Sequence, residues 1–482
     1  MTTPFAQIAF RSIGDVAPES HRESPRGTGP RPSRGARGLA LALLAIGLIA
    51  PAASAEEEAR RQIDAFPGAE GAGRHSSGGR GGLVLYVTTL ADSGPGSLRA
   101  AIDRRGPRVI TFEVAGTIAL ESALVVRHGQ LTIAGQSAPG DGVALSKYPL
   151  VIAADDVVVR YLRSRLGDRD GVAEDAISIT RGRRIILDHI SASWSLDETL
   201  SVASRYNPPE AGPYDVTVQW SIISESLNRS RHAKGDHGYG TLVRGAHGAR
   251  ITFHHNLWAH HRARSPRPGN YLSPAEDPVG PLIEFRSNVF YNWGGRFAGY
   301  DADKAQRVTY NFIDNAYVAG PDSIGALAFQ EKNTQANAYF SGNSMNGAVP
   351  ADPWSLVEGS DRPGYRLERA ALVGAVAPDS AESALSAVLA RAGAAHARDA
   401  VDARIVASVR ERSGRIIDSQ QDVGGWPELR GGPAPIDTDR DGMPDVWELA
   451  NGLNPDDPAD GRADRNNDGY TELEDYLNGL ID

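Results

Sequence analysis

From residue 83 onward one short pattern keeps returning, an apolar, β-branched run closed by Asn, Gly or Ser. It appears as Leu131-Thr-Ile-Ala-Gly, Val157-Val-Val-Arg-Tyr, Arg184-Ile-Ile-Leu-Asp-His, Val216-Thr-Val-Gln-Trp, Ile251-Thr-Phe-His-His-Asn, Leu282-Ile-Glu-Phe-Arg-Ser-Asn and Val308-Thr-Tyr-Asn-Phe. None of these runs carries a helical period. Successive starts fall about 25 to 35 residues apart, and Gly/Pro-rich stretches absorb the variation. Units of this size stack, each burying its face on its neighbours. A propeller would need four strands per longer repeat and a recurrent Trp or Gly signature, which the sequence lacks. The pattern therefore predicts an all-β chain folded as a parallel β-helix, a solenoid with two or three short strands per rung. Asn256, Asn288, Asn311 and Asn343 recur after strands and predict an amide ladder at one turn. Ahead of the repeats, Gly94-Pro-Gly-Ser-Leu-Arg-Ala-Ala-Ile reads as a Ser-capped short helix closing the first rung.

The repeats fade near residue 345. Residues 380–412 are rich in Ala and Arg with helical propensity, and are expected to lie along the solenoid. Gly424-Gly-Trp and Gly431-Gly-Pro-Ala-Pro mark a linker. At the other end, an apolar run from Leu39 to Ala50 follows Arg31, Arg34 and Arg37, and Ala53-Ser54-Ala55 supplies small residues for cleavage. That is the pattern of an export signal, too short for a membrane span. The expected organisation is a signal region over 1–55 cleaved after Ala55, a β-helix domain over 56–345, an extension over 346–436 and a tail over 437–482. No membrane span is expected elsewhere, and the mature chain is expected to be secreted or periplasmic.

Cysteine is absent, so disulfides, thiol redox chemistry and Cys-ligated zinc are excluded. The formal net charge of −10 is unevenly placed: the tail carries fourteen Asp/Glu against three Arg. The central domain is nearly neutral and can receive an anionic polymer. No basic patch or aromatic motif for nucleic acid is present.

In that tail, Asp437, Asp439, Asp441, Asp445 and Glu448 fall at positions 1, 3, 5, 9 and 12 of a calcium-loop pattern, with Gly442 at position 6. A second copy places Asp464, Asn466, Asp468 and Asp475 in the same way around Gly469. The pattern resembles the thrombospondin type 3 and dockerin-like repeats of exported proteins, and implies bound calcium with a structural role.

The chemistry-bearing stretch is 250–267. A strand delivers His254, His255 and Asn256, then leads into Arg262, Arg264 and Arg267 around Pro266. Guanidinium groups so crowded repel unless an anion sits between them. Upstream, Asp175, Asp188 and Asp197 recur on similar strand–turn units. Fixed carboxylates beside fixed guanidinium groups can hold a metal ion next to an acidic substrate, which points to polyuronate chemistry. Trp194, Trp220, Trp258 and Trp293 are expected in the core or its stacks. His254, His255, His260 and His261 cannot converge on one ion, because adjacent side chains on a strand point to opposite faces.

The runs Ala65-Phe-Pro-Gly-Ala-Glu-Gly, Gly78-Gly-Arg-Gly-Gly, Asp92-Ser-Gly-Pro-Gly-Ser-Leu-Arg, Ile133-Ala-Gly-Gln-Ser-Ala-Pro-Gly-Asp-Gly, Ile186-Leu-Asp-His and Phe253-His-His-Asn together resemble the pectate lyases of polysaccharide lyase family one, in a bacterial branch. The resemblance implies a right-handed parallel β-helix and calcium-assisted β-elimination of de-esterified polygalacturonate. It implies that Asp175 and Asp197 hold Ca2+, with Glu198 or Glu174 standing in for an acid that this chain replaces by Ser201. It places the catalytic Arg of an Arg-x-Pro motif on Arg264 and the substrate-binding Lys on Lys234. The family's second arginine falls on Gly269, so Arg267 or Arg262 is expected to clamp the uronate instead. Asp188 and His189 are expected to hold the rung. Because arginine is a poor base near neutrality, the assignment implies an alkaline optimum.

Three other readings stay open on the residues: a lyase acting on another uronan, a hydrolase on the same fold, which would need carboxylates flanking the bond, and a non-catalytic polysaccharide-binding β-helix. The expected partner is an acidic polysaccharide and the expected state a monomer.

Overall fold

The apolar runs form strands because every rung buries the same alternate positions on the rung before it. The computed structural model describes residues 63–169 and 172–481; the expected export signal and its cleavage site lie outside these residues. All strand pairings are parallel, and they build three faces of a solenoid. The first face runs from Leu83–Val87 and Arg108–Phe112 through Pro213–Gln219, Arg250–His254, Leu282–Arg286 and Val308–Ile313 to Ala336–Ser341. The second holds nine short strands, from Gly116–Ala119 to Ser344–Met345. The third carries Leu124–Val126, Leu150–Ala153, Leu200–Ala203, Leu242–Arg244 and Arg267–Gly269, joined to the first by the long strand Ile177–Asp188.

Inside, register puts like on like. Phe253, Phe285, Phe312 and Phe340 are successive partners across four rungs. The rings of Phe253 and Phe285 stack at 5.5 Å and those of Phe285 and Phe312 at 5.1 Å. A second column runs Trp258, Phe290, Tyr317, with 4.8 Å between neighbours. Burying each ring contributes about 2–3 kcal/mol.

Corners are made by single left-handed residues. His189, Trp220, His255, Ser287 and Asp314 follow first-face strands with φ of 53°, 48°, 53°, 54° and 54°. Such a conformation costs an L-residue on the order of 1 kcal/mol, and the residue that follows helps to offset it. Asn256 donates its amide to Asn288 at 3.1 Å, Asn288 to Asn315 at 3.0 Å, and Asn315 to Asn343 at 2.8 Å. The ladder therefore runs through Asn315, and the expected member Asn311 stands outside it. Asn311 lies within the strand Val308–Ile313, before the corner, and its amide donates to Glu284 and to the Ala371 carbonyl, both at 2.8 Å.

The Ser97 hydroxyl caps the helix Leu98–Ile102 at the start of the solenoid. Two helices, Ala381–Arg391 and Ala400–Glu411, cover the outside of the second face, where Val388, Leu389, Ile405 and Val406 bury Leu257, Val289 and Ala316. The Gly-rich stretch after residue 424 lies against the solenoid: Trp426 donates to the Arg165 carbonyl at 2.8 Å, and Arg430 exchanges bonds with Asp141. The tail helices Asp445–Asn451 and Glu472–Gly479 flank a core in which Met443, Leu473 and Leu477 meet Val109 and Ala134 of the first rungs. Among the described residues, no helix is long and apolar enough to cross a membrane.

Candidate active site

Three consecutive rungs of the third face assemble the site. Glu198 pairs with Tyr239, and Tyr239 with Ala263, in parallel bridges. The Thr241 backbone N–H donates to the Arg264 carbonyl at 2.7 Å, fixing the height of that arginine on the solenoid. Arg264 itself is a left-handed corner residue with φ 61°, so its side chain leaves the rung where the chain turns.

Asp175, Asp197 and Glu198 each bring a carboxylate oxygen within 4.8 Å of the others. The strand pairing explains how: Ile177–Asp188 runs beside Leu200–Ala203 with Ser178 opposite Ser201. Asp175 accepts the Glu198 backbone N–H at 3.1 Å and the Ser178 hydroxyl at 2.8 Å. Burial pushes Asp175 up to about 7; the hydroxyls of Ser178 and Ser201 work against that, while Asp197 and Glu174 add to it. Ser201, standing where the family pattern has an acid, thus supplies a hydroxyl beside Asp175, and the third carboxylate of the group is Glu198. Glu174 lies close enough to repel Asp175 and is not a member of the group.

His232 and His237 come from the loop that carries Lys234, and sequence reasoning did not single them out. His237 Nε2 lies 2.7 Å from Asp197 Oδ1, and the two imidazoles stack with 3.7 Å between ring centres. The Lys234 backbone N–H donates to His232 Nδ1 at 3.1 Å, which leaves the proton on His232 Nε2, the atom facing Asp197 at 3.9 Å. Lys234 itself is exposed, with its charge felt at His237. The alternation His232-x-Lys234-x-x-His237 was the available signal.

Arg264 pairs with Glu198 and lies with its guanidinium carbon 4.0 Å from the centre of the Tyr239 ring. Burial lowers its pKa from the ordinary arginine value; Tyr300 opposes this and Arg267 reinforces it. Arg267 stands over Tyr300 at 5.5 Å and 3.8 Å from Asp303. Arg262 reaches away, donating to the Asp236 carbonyl at 2.8 Å. Position 269 is filled from elsewhere: the buried Arg244 crosses it to pair with Asp303, and a Cβ on Gly269 would lie 1.7 Å from Arg244 Nη1.

Asp188 and His189 hold the rung. Asp188 takes Arg160 at 2.9 Å, Gln219 at 2.8 Å and His189 at 2.8 Å, and although burial raises its pKa, His189 and Arg160 hold it well below the usual carboxylate range. His189 lies in a column between Tyr161 and Trp220. His254 and His255 bond each other and then separate partners, while His260 bonds Ser408 and Asn292 and His261 bonds Ser226 and the Ile223 carbonyl.

In the tail, the structure rearranges the first predicted loop. Asp439, Asp441 and Glu448 converge with Asp460, a residue beyond the loop. Asp437 instead takes the Tyr86 hydroxyl at 2.5 Å and the Gly442 N–H at 3.1 Å, and Asp445 turns back to Thr438 at 2.7 and 2.8 Å. Loop spacing alone does not register that Tyr86 of the first strand and Thr438 of the loop itself have taken these two carboxylates. In the second copy, the Asn466 amide lies between Asp468 and Asp475, donating to both, and Asp464 accepts the N–H groups of Asp468 and Gly469.

Fold and site together define a parallel β-helix protein with a group of carboxylates that could hold a cation set beside a half-buried arginine. A scan against protein-family models finds no match. The chain is 35% identical over 429 residues to a protein of Aspergillus flavus named "Probable pectate lyase C", covering 86% of this chain and 94% of that one. It is 34% identical over 443 residues to the protein of the same name from Aspergillus fumigatus, covering 89% and 96%. The chain belongs to this pectate lyase family. These relatives are fungal, where the sequence motifs had suggested a bacterial branch. The cedar pollen allergen jun a 1 shares the fold, with a TM-score of 0.50 at 17% identity over 67% of this chain and 92% of that one.

Proposed function

We propose that this chain is an exported pectate lyase that cleaves de-esterified polygalacturonate by β-elimination at the third face, between the Asp175–Asp197–Glu198 group and Arg264. The family membership supports the activity, and the single observation that carries the site is the meeting of three carboxylates with a half-buried arginine on consecutive rungs. The donor set is all oxygen, which suits calcium and not a soft metal. When bound, calcium would neutralise the uronate carboxylate and the negative charge that grows at C5 as its proton leaves.

The chain's own residues do the rest. Asp175 is held in place by Ser178 and the Glu198 backbone, and Asp197 by His237, so the ligands are set before any cation arrives. Arg264 is the candidate base at C5: burial and the nearby Arg267 weaken its hold on its proton, and Tyr239 fixes its plane. Arg267, half-buried over Tyr300, is placed to clamp a carboxylate, and Lys234 is placed at the open rim to meet the polymer. Arg262, tied to its loop, positions that loop. The glycosidic bond to C4 breaks with its electrons going to the leaving oxygen, giving an unsaturated product.

The apolar run at 39–50 and the Ala53-Ser54-Ala55 pattern support export. The test is to add purified mature protein to de-esterified polygalacturonate with calcium or with chelator and follow ultraviolet absorbance. Calcium-dependent absorbance is the expected result. New reducing ends without it would mean hydrolysis, and neither signal would mean binding or another uronan.

A further inference from the structure

Four carboxylates of the tail point at one another with nothing of the protein between them. Asp439, Asp441, Glu448 and Asp460 each offer an oxygen within 4.8 Å of the others. Five of their oxygens are buried without a hydrogen-bond partner: Oδ2 of Asp439, Oδ2 of Asp441, Oδ1 of Asp460 and both oxygens of Glu448. Glu448 is fully buried and Asp441 is 5% exposed. A buried ionised carboxylate without a partner is among the costliest groups a protein can hold. Here several of them crowd one point.

Their remaining oxygens are satisfied in ways that aim the orphans inward. Asp441 Oδ1 accepts the Met443 N–H at 3.0 Å, Asp439 Oδ1 the Asp441 N–H at 3.3 Å, and Asp460 Oδ2 the Asn454 N–H at 2.9 Å. Gly461 lets the second segment approach, since a Cβ there would lie 2.2 Å from Asp441 Oδ2. The same loop sits on the solenoid: a Cβ on Gly442 would meet Leu473 at 2.7 Å and Val84 of the first strand at 3.1 Å. Around it, Tyr86 bonds Asp437 at 2.5 Å, Arg440 pairs with Glu113 at 3.0 Å and Arg80 with Glu474 at 2.9 Å.

We propose that Asp439, Asp441, Glu448 and Asp460 hold one calcium ion that locks the tail onto the first rungs of the solenoid, separate from the cation of the third-face groove. An all-carboxylate site of at least five oxygens suits calcium, which takes six to eight, better than a metal that prefers nitrogen or sulfur. Because Asp460 lies outside the loop that supplies the other three, the ion ties two segments of the tail together. Without it their charges drive those segments apart, and Met443 and Leu473 lose their seat beside Val109. The ion thus serves docking rather than turnover, and the proposal stands whether or not the groove is a lyase site.

The experiment uses the whole mature chain, with calcium chloride as the probe. Isothermal titration counts calcium ions, and calorimetry reads the unfolding midpoint in calcium and in chelator, for wild type, Glu448→Gln and Asp460→Asn. Wild type is expected to bind one more ion than either variant, and calcium is expected to raise its midpoint by several degrees more. In chelator both variants are expected to unfold no lower than wild type, because each removes one crowded charge; a merely structural hydrogen bond would not reverse in this way. Asp460→Asn, the near-isosteric change, gives the reading if Glu448→Gln fails to fold. Equal ion counts and equal calcium shifts in all three proteins would overturn the proposal. An equal shift with magnesium would overturn calcium as the occupant.

Discussion

The groove and the tail each gather carboxylates, yet they leave those carboxylates in opposite conditions. In the groove, Asp175 is held by a serine hydroxyl and a backbone N–H and Asp197 by His237, while Glu198 pairs with Arg264 and keeps one buried oxygen without a hydrogen bond. In the tail, four carboxylates converge, and five of their buried oxygens have no hydrogen-bond partner. Acids propped by the protein keep their shape whether a cation is bound or not, as a site that must exchange cation and substrate requires. Acids without props make the fold itself depend on the ion. On the roles proposed above, the same residue type serves turnover in one place and docking in the other, and the neighbours decide which.

The sharpest way to break this contrast is at Arg264. Arg264→Ala is expected to lower kcat by about a thousandfold while leaving the unfolding midpoint in calcium almost unchanged, checked by initial rates and calorimetry. If the midpoint fell as far as in a tail variant, the division between turnover and docking would fail.

The pH dependence follows next. Asp175, raised to about 7 chiefly by burial, binds more protons folded than unfolded between about pH 4 and 7. Stability of the calcium-free protein is therefore expected to fall as pH rises through that window. Calcium must displace this proton, so groove affinity is expected to weaken about tenfold for each unit below pH 7. Titrations of Asp175→Asn beside wild type check this, since the variant loses the slope. With Arg264 as the proposed base, turnover is expected to climb into the alkaline range.

A smaller effect concerns the position where the family pattern has its second arginine. Gly269→Arg would not restore a clamp, because its Cβ meets Arg244 and Asp303. The variant is expected to lose stability by a few kcal/mol and to gain no affinity for polygalacturonate, as denaturant curves and KM would show. The smallest change is remote from both clusters: Asn288→Ala, which interrupts the amide ladder, is expected to cost about 1–3 kcal/mol with kcat intact.

The rung pattern was legible because parallel stacking imposes one simple rule on every turn, apolar positions inward and a corner residue after each strand. The rung pattern alone grouped Asp175 with Asp188 and Asp197, and Asp188 instead holds its rung; Glu198 entered only through the resemblance to the pectate lyases. Asn315 was missed in favour of Asn311 because the two lie four residues apart, and only the corner at Asp314 distinguishes them. His232 and His237 act through a loop whose path is fixed by tertiary contacts. Arg244 fills the place of residue 269 from another rung, and Asp460 joins a loop that begins more than twenty residues earlier in the chain. None of these three leaves a periodic trace in the sequence.

The most direct test is the initial rate of unsaturated-product formation against free calcium for wild type, Asp197→Asn and Glu448→Gln, below the unfolding temperature of all three. The account expects the calcium midpoint to rise at least tenfold in Asp197→Asn and to stay with wild type in Glu448→Gln. A midpoint that moved in Glu448→Gln and stayed in Asp197→Asn would place the catalytic cation outside the groove and contradict the account.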